Sequence, residues 1–286
     1  MFDAFDHIVV AVRDLDAATA DYAELLGRQP SWRGEHPARG TANTLFRFGN
    51  GYLGLIAAAG TGPGADQVEK RLDAEGEGPM AIALATSDAD ACAKWLRERG
   101  IAAAEPEPGG GRDLDSGAER RWRSVRLPLE DTRGVFLFAM EHLSPAETLP
   151  HALAVGSEEA AVAGFDHVVI QTRDADASRA LYGERLGIRL ALDRSFERRG
   201  VRLLFFRIGG VTLELAGRLD AEPEPDADDR LWGIAYQVPD VDAARTRVHR
   251  AGFDVSETRS GNKPGTAVCT VADRTHGVPT LLIGPG

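Results

Sequence analysis

The chain has 286 residues, 43% hydrophobic and 27% charged, a balance typical of a soluble globular protein with two domains of ordinary size. Its net charge of -11 argues against nucleic acid or an anionic membrane as a partner, because phosphate groups bind to basic faces. We expect neither a secretory signal nor a membrane span, because residues 1–6 have no basic or apolar signal region and no apolar run reaches roughly 18 residues. Cys92 and Cys269 lie inside predicted elements. We therefore expect buried thiols and a cytoplasmic protein.

One stretch near the start of the chain occurs twice. Residues 5–18 (FDHIVVAVRDLDAA) return as residues 165–178 (FDHVVIQTRDADAS), and the same register continues through the hairpin that follows. Residues 81–91 and 233–244 are weaker copies that contain the same Asp-x-Asp-Ala pattern. A long-period repeat of this kind marks a duplicated structural unit. The sequence therefore predicts four copies of one unit.

Each unit begins with a short apolar run that predicts a buried strand, residues 7–12 in the first unit. Asp14 then occupies the position of a helix N-cap, and Gly27 that of a C-cap glycine. Three strand-like runs complete the unit at residues 31–33, 44–48 and 52–57, with a hairpin turn at residues 49–51. The predicted order is βαβββ. The Asp-x-Asp pairs also resemble metal ligands, but helix capping explains all four copies together.

Polar stretches rich in Gly and Pro separate these elements. They predict loops at residues 58–78, 105–119 and 219–230, and a linker at residues 144–164. The predicted domains are residues 1–143, with modules 1–77 and 78–143, and residues 165–286, with modules 165–220 and 230–286.

Four βαβββ units with a histidine early in the first strand and a glutamate on the last resemble the vicinal oxygen chelate superfamily of glyoxalase I, extradiol dioxygenases, methylmalonyl-CoA epimerase and bleomycin-resistance proteins. The Phe-Asp-His opening, the Asp-x-Asp-Ala helix start, the Leu-Gly helix end and residues 211–215 carry the resemblance, and residues 36–43 are similar to a glyoxalase-like branch. The resemblance implies an α+β fold in which four modules pair into two curved eight-stranded sheets, each around a cup. In metal-dependent members, first-strand His and last-strand Glu residues hold Fe, Mn, Ni, Zn or Mg in the cup.

The internal register indicates which of these implied ligand positions remain. His7 is matched by Gly54 on the last strand of its unit, whereas His167 is matched by Glu214 at the same spacing. The corresponding positions in the even units are Ala81, a residue near Leu137, Gly233 and Leu281. His167 and Glu214 are therefore the pair that can meet. Two protein ligands are fewer than a catalytic metal site of this kind uses. A further ligand from a loop, such as His36, His249 or Glu141, could complete the site.

Without a metal ion, His167 and Glu214 could act as a proton-transfer pair, because a neighbouring carboxylate raises the proton affinity of an imidazole. A hydrogen-bonded pair with a purely structural role is the alternative. His7 is a candidate for substrate contact. The alternative is a structural role, as a buried ring with one backbone hydrogen-bond partner.

Further candidates for substrate contact lie near the implied cups. Arg39 and Asn43 flank Gly40 in a shaped loop, and Asn262 and Lys263 lie in a similar loop of the fourth unit, where Lys263 could meet an anionic group. Tyr236 lies on a strand and could line an apolar cup. The alternative for the two loops is a structural role at the entry to a hairpin. The alternative for Tyr236 is a place in the hydrophobic core.

Two hypotheses of function follow. In the first, the chain is a lyase, an isomerase or a ring-cleaving dioxygenase that acts on a small oxygenated organic molecule. His167 and Glu214 are then its catalytic residues and the partial ligands of a divalent cation. In the second, it is a metal-free binding protein of the bleomycin-resistance type that uses the same cup without chemistry. Both hypotheses predict a small-molecule ligand, and both are compatible with a monomer or a homodimer.

Overall fold

The computed structural model describes residues 1–224 and 226–286, and the four predicted units form four βαβββ modules. Pro225, in the predicted loop 219–230, lies outside the described residues. The first module contains β1 (Ala4–Ala11), α1 (Leu15–Leu26), β2 (Trp32–His36), β3 (Thr41–Phe48) and β4 (Gly51–Ala58). After α2 (Pro63–Glu75), the second contains β5 (Gly78–Ala85), α3 (Ala89–Arg97), β6 (Glu107–Asp113), β7 (Glu119–Arg126) and β8 (Phe136–His142).

The C-terminal half repeats this order. The third module contains β9 (Gly164–Thr172), α4 (Ala175–Arg179), β10 (Arg189–Phe196), β11 (Val201–Ile208) and β12 (Val211–Arg218), and α4 continues into a π-helical turn at Ala180–Arg185. The fourth contains β13 (Arg230–Gln237), α5 (Val241–Arg250), β14 (Arg259–Ser260), β15 (Thr266–Val271) and β16 (Thr280–Pro285).

The aspartates that precede the module helices are N-caps, as predicted. In each case a side-chain oxygen accepts a hydrogen bond at 2.9 Å from the backbone N–H three residues later, and the four capping residues are Asp14, Asp88, Asp174 and Asp240. Helix α1 ends at Gly27, whose φ of 63° is a left-handed conformation that favours glycine. The Asp-x-Asp-Ala pattern is therefore explained by helix starts.

The two halves pair their strands in the same order but differ in closure. In the N-terminal half the order is β1-β4-β3-β2-β6-β7-β8-β5, and pairing of β5 with β1 and of β2 with β6 closes a barrel. In the C-terminal half the order is β10-β11-β12-β9-β13-β16-β15-β14, and this sheet is open. Strand β14 contains only two residues and pairs with β15, and among the described residues no strand pairs with the outer side of β10. Modules therefore pair within each half.

Two of the predicted loops contain regular structure. Residues 58–78 include the 13-residue helix α2, which buries Ala65, Val68 and Leu72 against β1 and β4. Pro63 stands at the helix start, where its missing N–H costs no hydrogen bond, so the Gly-Pro-Gly stretch marks a helix start as well as a turn. Residues 105–119 include β6. A side chain in place of Gly109 would collide with the Trp122 indole, so glycine permits this strand instead of breaking it.

A continuous core of buried side chains runs through both halves. The Asn50 side chain hydrogen-bonds both backbone groups of Phe165, at 2.8 and 3.0 Å. Buried Arg28 donates to the carbonyls of Ala152 and Val162 in the linker and forms an ion pair with Glu158. The linker is thus packed against the N-terminal half, and the domain boundaries themselves stay a prediction.

Both cysteines are buried and free, as expected. Among the described residues, no helix has the length and apolar character needed to cross a membrane.

Candidate functional site

The N-terminal barrel contains a cavity of about 190 Å³. Its wall is mostly apolar with a few convergent polar groups, which is the usual character of a small-molecule site. The aromatic lining residues are Trp32, Tyr52, Trp122, Phe136 and Phe138. The polar lining residues include His7, His36, Arg39, Asn43 and Arg120. Helix α2 lies against one side of the cavity through Gly64, Gln67 and Val68.

The imidazole of His7 is fixed at the cavity wall by its neighbours. Its Nδ1 lies 2.5 Å from Oδ2 of Asp6, whose Oδ1 lies 2.7 Å from Nε2 of His142 on β8. The Tyr52 ring stacks on the imidazole at a centroid distance of 4.3 Å, and Phe138 meets it in a T-shaped contact at 5.5 Å. Among the described residues, no hydrogen-bond partner meets Nε2 of His7. One ring nitrogen is thus anchored and the other is available at the cavity.

Burial and hydrogen bonding together set the charge states of Asp6 and His7. Desolvation alone would raise the pKa of Asp6, but hydrogen bonds from His142 and His7 outweigh it and hold that pKa well below its usual range. Burial lowers the pKa of His7, against the attraction of the Asp6 carboxylate. His7 is therefore a neutral imidazole at neutral pH. Its proton lies on Nδ1, because an ionised carboxylate can only accept hydrogen bonds. The lone pair on Nε2 can then accept a proton from a molecule in the cavity.

Arg120 on β7 brings a buried positive charge to the same wall. The residue is 8% exposed, and its guanidinium carbon lies 5.5 Å from the ring centroids of Trp32 and Tyr52 and 6.0 Å from that of Trp122. No carboxylate in the described part of the chain lies within the 4.0 Å of an ion pair with Arg120. Aromatic faces attract a cation but offset only part of the cost of removing it from water.

The predicted residues Arg39 and Asn43 both line this cavity. Arg39 ends the short turn that follows β2, and burial lowers its pKa, with Arg126 adding to the effect and Glu107 opposing it. Asn43 lies on β3, and its buried side-chain oxygen has no hydrogen-bond partner in the described part of the chain. A buried acceptor of this kind costs free energy unless a ligand or water donates to it.

His36 is a second neutral imidazole at the cavity. Its Nδ1 lies 3.0 Å from the hydroxyl of Thr41, and its ring meets Trp122 in a T-shaped contact. Burial, with the positive charges of Arg39 and Arg120, lowers the pKa of His36 to about 4. It therefore carries no charge at neutral pH.

The structure also brings His167 and Glu214 together in the C-terminal half. Strands β9 and β12 are parallel neighbours, and Nε2 of His167 lies 3.8 Å from Oε2 of Glu214. Nδ1 of His167 lies 2.8 Å from Asp166, which repeats the contact between His7 and Asp6. Burial raises the pKa of Glu214, although His167 opposes this. The sheet around this pair is open, and most of β10 is exposed.

The donor set does not fit a metal ion. Within residues 1–224 and 226–286, no group of three or more His, Cys, Asp or Glu side chains is arranged so that it could hold a metal ion. Glu141 faces Arg123 at 3.5 Å, His36 lies in the N-terminal barrel, and His249 is exposed on α5. None of these three joins His167 and Glu214. That pair alone is short of the three or four protein ligands of a catalytic metal site.

The remaining predicted residues do not reach the barrel cavity. Tyr236 is fully buried, its ring centroid lies 5.6 Å from that of Phe165, and its hydroxyl has no partner among the described residues, so it belongs to the core. Asn262 accepts a hydrogen bond from Arg199, and both Asn262 and Lys263 are exposed in the turn before β15.

Three residues of the cavity region were not anticipated: Asp6, Arg120 and His142. Asp6 had a signal in the sequence, because an aspartate precedes the histidine in both strong repeats. Arg120 and Trp122 lie two residues apart on β7 and both line the cavity, which is the spacing of residues on one face of a strand.

Comparison with known families agrees with this architecture. A model described as the glyoxalase-like domain matches residues 5–162, more than half of the chain. A model described as the glyoxalase/bleomycin resistance protein/dioxygenase superfamily matches residues 166–270. The chain therefore belongs to the glyoxalase-like family, within the vicinal oxygen chelate superfamily, and carries two such domains in tandem.

Solved structures show the same fold. A triple mutant of 4-hydroxymandelate synthase from Streptomyces coelicolor is similar over 100% of this chain and 94% of its own, with 14% identity and a TM-score of 0.71. A hypothetical protein from Staphylococcus aureus is similar over 98% of both chains, with 10% identity and a TM-score of 0.65. At such identities the similarity concerns the fold alone. A search of the curated proteins gave no match.

Proposed function

We propose that the chain binds a small oxygenated organic molecule in the N-terminal barrel and catalyses proton transfer at a carbon next to a carbonyl, with His7 as the base. The observation that carries the proposal is the placement of His7, whose Nδ1 lies 2.5 Å from Asp6 and whose ring lines the cavity. This assigns the chain to the isomerase or lyase type of chemistry. The donor set gives no reason to route the step through a metal ion.

In the proposed proton transfer, His7 is the base and Asp6 stabilises its protonated form. Nε2 of His7 takes the proton, the electron pair of the broken C–H bond moves into the enolate, and the imidazolium that forms is stabilised by the Asp6 carboxylate at 2.5 Å. Return of the proton from Nε2 to carbon completes the cycle. Tyr52 and Phe138 hold the ring in place throughout.

Exchange of carbon-bound hydrogen for deuterium tests the proposal. Phenylacetone and phenylpyruvate would be incubated with the protein in deuterium oxide, and loss of the methylene proton signal would be followed by NMR. We expect His7→Gln to lower the rate above background by roughly 100-fold or more. His167→Gln, at the matching position of the third module, is the control and should retain the rate. Equal rates for wild type and His7→Gln would contradict the proposal.

The C-terminal pair is a second candidate site, favoured by the 3.8 Å approach of His167 and Glu214. An imidazole beside a carboxylate with a raised pKa can exchange protons with a carbonyl compound in the same way. If this pair is the working site, Glu214→Gln and His167→Gln lose the exchange and His7→Gln keeps it. The same assay therefore separates the two sites.

A binding protein without chemistry is the remaining alternative, and the unpartnered Asn43 oxygen in the cavity is compatible with it. It predicts that ligands bind in the N-terminal barrel while no variant changes the rate of deuterium exchange from background.

A further inference from the structure

The lining of the N-terminal cavity carries more positive than negative charge. Its charged lining residues are Arg39, Arg120, Arg126 and Glu107, three cations and one anion. Glu107 forms an ion pair with Arg126 at 3.7 Å. In the described part of the chain, Arg39 and Arg120 have no carboxylate within the 4.0 Å of an ion pair. With the ionised Asp6 carboxylate beside His7 included, the cavity region still carries three positive charges against two negative ones, within a chain of net charge -11.

Comparison with another arginine shows what Arg120 lacks. Arg28 is about as buried, at 9% against 8% exposed, and it has both a carboxylate partner, Glu158, and two backbone carbonyl acceptors. Around Arg120 the guanidinium is surrounded by the rings of Trp32, Tyr52 and Trp122. A buried cation without a carboxylate is costly unless a further anion reaches it.

We propose that the molecule bound in the N-terminal barrel is a small organic carboxylate, and that its carboxylate pairs with Arg120. The inference rests on the proposed function in that it names the ligand class of the same cavity. A guanidinium presents two parallel N–H donors to a carboxylate, so one ion pair fixes the ligand's orientation as well as its position. Arg39 adds a second positive charge at the cavity.

The other residues of the cavity wall indicate the chemical character of the rest of the ligand. The rings of Trp32, Trp122 and Phe136 offer flat apolar surfaces, which favour an aromatic or other planar body. The Asn43 oxygen has no partner and fits a hydroxyl or N–H donor on that body. The carboxylate at Arg120 and the reacting carbon at His7 thus belong to one molecule.

Binding of a matched acid and amide tests the inference. Phenylacetate and phenylacetamide have the same body and differ in charge, and the change in tryptophan fluorescence reports binding because Trp32 and Trp122 flank Arg120. With the wild type we expect phenylacetate to bind roughly tenfold or more tightly than the amide, the size of a charge-assisted hydrogen bond. Arg120→Met should remove that preference, and Arg120→Lys should retain part of it.

Arg99→Met is the matched control, because Arg99 also stacks on a tryptophan, Trp95, but lies outside the cavity. It should leave the preference unchanged. Equal binding of acid and amide to the wild type, binding of neither, or an undiminished preference in Arg120→Met would overturn the carboxylate assignment. The comparison of acid and amide on the wild type requires no variant to fold. Deuterium exchange into the neutral ketone phenylacetone, lost in His7→Gln, would still support the proposed proton transfer if the carboxylate assignment failed.

Discussion

Acid should destabilise this protein through His36, and the size of the effect can be worked out. An exposed histidine in the unfolded chain has a pKa of about 6.5, whereas burial beside Arg39 and Arg120 lowers the pKa of His36 to about 4 in the folded protein. Between about pH 6.5 and 4, His36 therefore binds a proton in the unfolded state but not in the folded state. The stability that the neutral imidazole contributes is therefore complete above pH 6.5 and is lost as pH falls towards 4.

The linkage relation converts this shift into free energy. At about 1.4 kcal/mol per pKa unit, the full effect is about 3 kcal/mol, of which about 2 kcal/mol is already lost at about pH 5. His36→Asn removes the titrating group and keeps a side chain that can hydrogen-bond the hydroxyl of Thr41. The free energy of unfolding would be measured by urea denaturation at about pH 8 and about pH 5. We expect the drop between these two values to be about 2 kcal/mol smaller in the variant.

His249→Asn is the control, because the His249 side chain is exposed on α5 and its replacement should leave the drop unchanged. If wild type and His36→Asn lose the same stability between the two pH values, the imidazole is not held neutral by its surroundings. The described packing of this cavity wall would then be incorrect.

Three further predictions concern the packing of the fold. Arg28→Met removes the buried donor that joins the linker to the N-terminal half and should lower the free energy of unfolding by roughly 3 kcal/mol in urea; an unchanged midpoint contradicts this. Asn50→Ala breaks both hydrogen bonds to the third module and should cost roughly 1–3 kcal/mol in the same assay, so a neutral result would show that the contact is weak. Tyr22→Phe loses a hydrogen bond to a backbone carbonyl and should cost about 1 kcal/mol, whereas Tyr182→Phe removes an unpaired hydroxyl and should cost nothing; equal losses contradict the difference.

The sequence was sufficient for the fold because the repeat supplied each element four times. The weak fourth copy could be aligned on the strong first, and the Asp14 cap then assigned the start of every module helix. Helix α2 lies between the first and second units and begins at a Gly-Pro-Gly stretch, whereas β6 lies within the second module but begins with Glu-Pro-Gly-Gly-Gly. Single-residue preferences predict loops there, and only packing against the barrel reveals the helix and the strand.

The site was predictable only where it depends on neighbours in sequence or register. His7, Arg39 and Asn43 were predicted as candidates for substrate contact and line the N-terminal cavity, and the spacing of His167 and Glu214 predicted that they could meet. The choice of cavity depends on closure of the N-terminal barrel by β2 and β6, a contact between residues far apart in the chain. Arg120 faces His7 only after that closure, so its role could not be inferred from local pattern.

The central claim is that His7 presents a neutral nitrogen lone pair to an occupied N-terminal cavity, and nitrogen NMR of the imidazole measures this directly. With nitrogen-15-labelled histidine, and His7→Gln to assign the signals, we predict that near neutral pH the proton of His7 resides on Nδ1. We also predict that added phenylpyruvate shifts the Nε2 signal of His7 and leaves that of His167 in place. A proton on Nε2, a charged ring, or a ligand response confined to His167 would contradict the account.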